Sequence, residues 1–526
     1  MGWSPFLNIF ETMKKSIYTC LLFLFPFFTG HFEATAGHIE VSGKVSGNWD
    51  EDTVGVIADI FVPNGESLVI FPGTVVEFQG SFVFNVEGSL QAMGHNTDSI
   101  RFQVADTTGF HVDSIPDGGW KGIRFNHNRI TNEPSVFYRC RFAFGKNVSA
   151  DPLTGNGGAI SIRAYDGVSV DECLFVSNFA SCNGGAIALD SADISIYRST
   201  FSGNRCGLPV SPWGYGGAIS SDHSSPEIHW NVFTGNASTG IGGALSVRYN
   251  DCNIYNNIFT ENYSALGGAL GIMHIPEISH RVNTNFFGEN TALFFGGGIA
   301  SIDASPVYIN NTIRNNVASY GGGFYCKDSV SPDFYNCIFW GNTAAVGPQG
   351  YLFEVYSQAD FFYCDVEGGP SLFGGSGGGE AFFGAFEQCI DVYPEFIHES
   401  GLSYLIQINS PCFNTGSPDT SGFFLPPTDL EYNPRIEFDI IDMGADEVYP
   451  YQVDQDMNPE KVKVWPNPFI DKVFVEFDNE KDEELMIEVF DMTGKRIFRI
   501  ENASLTGKNT FRLDLKEVQG SVFLIK

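Results

Sequence analysis

Asp190, Asp222, His223, Arg248 and His274 could do acid–base chemistry if the chain brought them to one face. Their spacing suggests that it does. Arg163, Asp190, Asp222 and Arg248 each lie six residues after the start of a Gly-Gly pair, and His223, Tyr249, His274, Asp303 and Asp328 lie seven after one. If those segments stack at the strand spacing of about 4.8 Å, Asp190 and Asp222 are neighbours. Two carboxyls at ~5 Å can share a proton, hold calcium or serve a retaining glycoside hydrolase. The flanking Arg163 and Arg248 oppose a raised carboxyl pKa. Alternating signs also suit a solvent-facing ion-pair ladder, which contributes only tenths of a kcal/mol per pair. The favoured reading is therefore a charged face, with a polysaccharide lyase or glycoside hydrolase as the alternative. Neither a phosphate loop nor a nucleotide fingerprint is present, and no Cys-x-x-Cys or His-x-x-x-His spacing suggests zinc.

What must position these residues is a repeat. Gly-Gly-Ala-aliphatic runs begin at Gly157, Gly184, Gly216, Gly242 and Gly267, with looser copies at Gly296 and Gly321. Each run is followed by Phe-x-x-Asn or a variant, ending at Asn178, Asn204, Asn236, Asn262, Asn290, Asn316 and Asn342. Between the two motifs apolar residues alternate, as at Ile160/Ile162 and Ile194/Ile196, which is the period of a half-buried strand. A unit of about 26 residues built only of strands cannot bury its own apolar face, so successive units must stack. Stacking predicts an internal column of Phe175, Phe201, Phe233, Phe259 and Phe287, and an amide ladder of the seven asparagines. The reading is an all-β chain, a solenoid followed by a small Ig-like β-sandwich.

The paired Gly-Gly-Ala and Phe-x-x-Asn motifs resemble those of chlamydial polymorphic outer-membrane proteins, and the arrangement resembles the right-handed parallel β-helix of the pectate-lyase-like superfamily. This resemblance covers roughly residues 118–370. It implies the fold and leaves function open, because the scaffold carries lyases, hydrolases and adhesins alike.

Acidic residues outnumber basic ones 62 to 29, and the formal net charge of −33 argues against nucleic acid or an anionic membrane surface as partner. Lys14-Lys15, the apolar run 17–28 and Ala34-Thr35-Ala36 read as an export signal over 1–36, with Met13 as the expected start. No other stretch approaches a transmembrane length, so no membrane span is expected in the mature chain. Residues 37–117 read as an N-terminal cap and first coils, 118–370 as the repeats, 371–448 as a closing segment and 449–461 as a linker. Residues 368–379 read as a Gly-rich loop or a disordered insertion. In the closing segment Asp429, Asp442 and Glu447 are possible calcium ligands, although a salt bridge to Arg435 is favoured. Ten cysteines remain after the signal, an even number in an exported protein. Cys140, Cys173, Cys337 and Cys364 occupy matching slots in neighbouring coils and are disulfide candidates, with stacked thiols as the alternative.

From Trp465-Pro466-Asn467-Pro468 through Asp491-Met492-Thr493-Gly494-Lys495, residues 462–526 resemble the type A sorting domain of the type IX secretion system, with Trp465 replacing the usual Tyr. The resemblance implies a Bacteroidetes-type bacterium, the secretion machinery as partner and a cell-surface or released product. The family continues past the strand at 522–526, so a truncated tail is expected here. Together these features read as an adhesin-like scaffold that binds carbohydrate or another surface along its flank, with an enzyme or a purely structural protein as alternatives.

Overall fold

The computed structural model describes residues 37–448 apart from 127–132, 150, 152–153, 209–213, 276–280, 398–403 and 437–439, and six strands between 462 and 525. The expected export signal and linker lie outside the described residues. One repeat unit is one coil, and each coil holds four short strands. In the first complete repeat they are Ile160–Arg163, Val168–Asp171, Leu174–Val176 and Phe179–Ala180. Each strand pairs in parallel with its counterpart one coil on, so Ile160 meets Ile187, Val170 meets Ile196 and Phe175 meets Phe201. The chain forms a parallel β-helix. Residues 38–104 already belong to it, since His38–Lys44, Thr53–Val62 and Val75–Phe78 pair in the same parallel sense.

Four bends close each coil, and each carries a residue with positive φ. At three of them side chains are tolerated, as at Ser191, Arg198 and Ser177. At the fourth only glycine fits. Gly184 has φ +62°, and a Cβ there would lie 2.1 Å from the Ile187 carbonyl oxygen, while one on Gly185 would lie 2.1 Å from that of Gly217. The Gly-Gly pair is therefore the corner where one coil's backbone crosses closest to the next.

Inside, Phe142, Phe175, Phe201, Phe233, Phe259 and Phe287 stack with ring centroids 4.7 to 4.9 Å apart and are fully buried. Parallel, in-register strands place the same side chain above itself, so the rings meet face to face at the strand spacing. Beside them Asn178 through Asn342 form a continuous amide ladder. Asn262 shows the pattern: its Oδ1 accepts from the backbone N and Nδ2 of Asn236 at 3.0 Å, and its Nδ2 donates to Phe233 O and Asn290 Oδ1.

A second ladder runs two residues before the phenylalanines, at Asn231, Asn257, Asn285 and Asn311. Ser199, Cys173 and Cys140 extend it on one side and Cys337, Cys364 and Cys389 on the other. The four disulfide candidates are therefore rungs of a ladder, in line with the stacked-thiol alternative, and all ten described cysteines are free thiols. In-register parallel neighbours have parallel Cα–Cβ vectors, which leaves their Cβ atoms about a strand spacing apart, wider than the ~3.8 Å mean of disulfides. The backbone N–H groups of Cys140 and Cys337 instead donate to the sulfurs of Cys173 and Cys364 at 3.5 and 3.3 Å.

The C-terminal end of the core is covered by the Gly-rich stretch, which is an ordered loop, the first of its two expected alternatives. Two 3-10 turns, Gly369–Leu372 and Gly379–Ala381, carry Phe373 and Phe382 onto the last rungs, where Phe373 packs against Phe361 and Phe324. Residues 404–436 and 440–448, the later part of the expected closing segment 371–448, run back along the side of the helix. Their Tyr404, Leu405, Leu430 and Ala445 bury the outward faces of Ile258 and Phe286, and Ile406, Cys412 and Met443 bury Ile338. Side-chain amides at the second bends of three coils hold this clasp in place. Asn256 donates to Thr428 O and Asp429 O, Asn310 to Asp442 O and Gly444 O, and Asn336 Oδ1 accepts from Ser417 N. Its far tip is Tyr432, stacked on Trp230 at 3.8 Å.

Residues 462–525 contribute two three-stranded antiparallel sheets. One joins Val462–Trp465, Lys472–Asn479 and Gly507–Asp514, and the other joins Arg496–Ser504, Glu483–Phe490 and Leu524–Ile525.

Candidate functional site

The column picked out by spacing is a real column. Arg163, Asp190, Asp222 and Arg248 are register partners at the ends of successive first strands. Asp190 and Asp222 are adjacent, but each engages its own arginine: Arg163 Nε lies 3.0 Å from Asp190 Oδ2, and Arg248 Nη2 lies 2.6 Å from Asp222 Oδ2. The Arg248 guanidinium also covers the Tyr215 ring at 4.1 Å. At the following bend His223, Tyr249 and His274 take φ between +49° and +65°, which turns them outward. Their rings stack at 4.7 and 5.2 Å, with His223 Nδ1 at 2.9 Å from Asp222 and His274 Nδ1 at 3.1 Å from Asp303. The column is thus a run of partly exposed ion pairs beside a row of exposed rings. Replacing Asp190 by Asn is expected to cost no more than ~1 kcal/mol, because a pair as exposed as Arg163–Asp190 contributes little. Equilibrium denaturation compared with wild type checks it.

The second strands carry a matching row that spacing did not single out. Tyr197, His229 and Tyr255 are register partners with rings 4.5 and 4.6 Å apart. Burial lowers the His229 pKa, which keeps its imidazole neutral at neutral pH. Further along the same face Asp333 and Asp360 are register partners. Burial, then the neighbouring Asp360 carboxylate, raise Asp333 to about 6, while Asp360 Oδ1 accepts from Ala385 N at 2.6 Å. The motif count missed both features because it stopped at offsets six and seven, whereas Tyr197, His229 and Tyr255 each lie thirteen residues after Gly184, Gly216 and Gly242, and Asp333 lies twelve after Gly321. The sequence signal was an aromatic residue or His just before the second bend of consecutive units.

The acidic residues of the clasp have structural partners. Arg435 Nη1 lies 3.0 Å from Glu447 Oε2, and both residues are buried. Asp429 accepts from the backbone N of Glu431, Asn433 and Glu447, and Asp442 from those of Asn414 and Val448. Among the described residues no group of three or more His, Cys, Asp or Glu is arranged to hold a metal ion, and no helix is long and apolar enough to cross a membrane.

One comparison speaks to destination. Residues 463–526 match the family model of the secretion system C-terminal sorting domain. The chain carries a type IX sorting tail. It is therefore a secreted or outer-surface protein, and the secretion machinery is its partner through this tail. No curated protein matches the chain. Deleting 463–526 is expected to leave the helix folded but the protein retained in the periplasm, as cell fractionation with an antibody against the helix would report. Undiminished surface delivery of the deletion would contradict this role.

Proposed function

We propose that the protein binds carbohydrate on the cell surface or in the medium through the outer flanks of its helix. The observation that carries this reading is the pair of ring rows, His223–Tyr249–His274 and Tyr197–His229–Tyr255, set one coil apart and bordered by carboxylates and amides. Aromatic rings beside hydrogen-bonding groups, repeated at a fixed step, suit an extended polymer of like units. Catalysis at the Asp190/Asp222 column is disfavoured because each carboxylate is engaged by an arginine. The test is a glycan array probed with the secreted protein. Signal on polysaccharide spots, lost in a Tyr249→Ala/Tyr255→Ala double variant, is expected. A blank array would leave a structural surface protein as the better reading.

A second reading, a glycoside hydrolase, is favoured by one observation, the Asp333/Asp360 pair. A carboxyl titrating near 6 beside an in-register carboxylate matches the acid and nucleophile of a retaining mechanism. Release of new reducing ends, abolished in Asp333→Asn, would support it.

A further inference from the structure

Where the clasp crosses the second-strand face it makes a groove of about 530 Å³, within the ~300–1,000 Å³ range of small-ligand sites. One wall is the segment from Phe424 to Pro427, and the floor is Asn253, Tyr255, Arg281 and Asn283. The ring row ends inside this groove. Tyr255 stacks on His229 on one side, and on its other side the next rung is Asn283, which leaves that face of the phenol ring without an aromatic neighbour.

Asn283 supplies an independent observation. It is 4% exposed, its Nδ2 donates to Phe423 O and Phe424 O at 3.3 Å, and its Oδ1 has no hydrogen-bond partner among the described residues. A buried carbonyl oxygen left unpaired costs about 1–3 kcal/mol, so a donor from a ligand at this point would recover a real penalty. Arg281 is braced by the Phe424 ring at 4.0 Å and by Gly422 O at 2.6 Å, and among the described residues no carboxylate pairs with it. Its remaining N–H groups and the exposed Asn253 amide are donors for hydroxyl oxygens. Glu227, at the edge of the groove, is an acceptor and, with the net charge of −33, opposes an anionic chain.

Resting on the carbohydrate reading, we propose that this groove is a binding site for a neutral pyranose oligosaccharide. One sugar ring lays its C–H face on the free side of Tyr255, donates a hydroxyl to Asn283 Oδ1 and accepts from Arg281 and Asn253. The clasp thereby serves two ends, since it seals the third-strand face and supplies the groove's apolar wall.

Calorimetric titration of the intact secreted protein with cellohexaose, mannohexaose, xylohexaose and galactohexaose, with hexagalacturonate as the acidic probe, tests the proposal. At least one neutral hexasaccharide is expected to bind more tightly than hexagalacturonate. Tyr255→Ala should weaken it at least tenfold, Tyr255→Phe should stay within twofold, and Tyr263→Ala at an exposed position on the fourth-strand face should leave it unchanged. Far-UV circular dichroism and proteolytic resistance of the clasp verify that the variants are folded. Tighter binding of hexagalacturonate, or unchanged affinity in Tyr255→Ala, overturns the groove. If binding is lost in Tyr249→Ala instead, the groove fails while the carbohydrate reading stands. If neither the titrations nor the array shows binding, both fail.

Discussion

Asn262→Ala should lower stability by ~4 kcal/mol or more, because the side chain it removes serves four buried partners at once. Asn262 is fully buried. Truncation leaves the Phe233 carbonyl, the backbone N–H and Nδ2 of Asn236 and the Asn290 Oδ1 each short of one hydrogen bond. Each stranded buried group costs ~1–3 kcal/mol. The damage should also spread, because Asn236 and Asn290 are rungs whose neighbours hang on them in turn. Hydrogen exchange should therefore show lost protection over the coils from Phe233 to Asn290. The adjacent Tyr263→Ala, at an exposed position, should stay within ~0.5 kcal/mol of wild type. Equal effects of the two substitutions would mean that the ladder is not what binds the coils together.

Arg435→Met should release the clasp, with an effect of ~3–5 kcal/mol on its docking, the range for breaking a buried ion pair by removing one partner. Among the described residues, Arg435 is the single guanidinium among the buried carboxylates Asp429, Asp442, Asp446 and Glu447, and it also donates to Gly444 O at 2.6 Å. Burial raises Asp429, carries Asp442 to about 6 and pushes Asp446 well above the usual carboxylate range. At the junction of clasp and helix, burial raises Asp365 to about 7, and the Cys412 thiol donates to its Oδ2 at 3.2 Å. A folded-state carboxyl pKa above the unfolded value means that the folded clasp binds protons more tightly than the unfolded chain. Its stabilising contribution is complete below about pH 4 and is lost as pH rises through 6 to 7. Proteolysis within 404–448 should accordingly be slower at pH 5 than at pH 8 in the wild type. Asp365→Asn should flatten that dependence in its upper part, between pH 6 and 8. A clasp more labile at pH 5 would contradict the assignment of these buried acids.

Much of this architecture is written in the repeat. The Gly-Gly pair marks a corner that excludes any Cβ, and Phe-x-x-Asn names one inward residue and one bend residue, so stacking alone yields the ring column and the first ladder. The second ladder was equally present in the sequence, as Asn-x-Phe-x-x-Asn at Asn231, Asn257 and Asn285, but the variable Ser and Cys at its ends concealed it. Alternation tells which side of a strand a residue faces and says nothing of what lies over that side. For this reason the clasp was legible as a segment and not as a contact. Its bonds to Asn256 and Asn310 join residues 132 to 173 positions apart, with no periodicity to announce them. The charged column was placed correctly by counting, yet the pairing of each aspartate with its own arginine depended on rotamers that spacing does not encode.

Binding without cleavage is the centre of this account, and one measurement addresses it directly. The secreted protein is incubated with a polysaccharide that it retains on the array, and the chain length of the bound fraction is determined by size-exclusion chromatography after release. Full-length polysaccharide, recovered without new reducing or unsaturated ends, is the result expected. Shortened chains that no longer appear with Asp333→Asn would contradict the account and establish the second-strand face as a catalytic one.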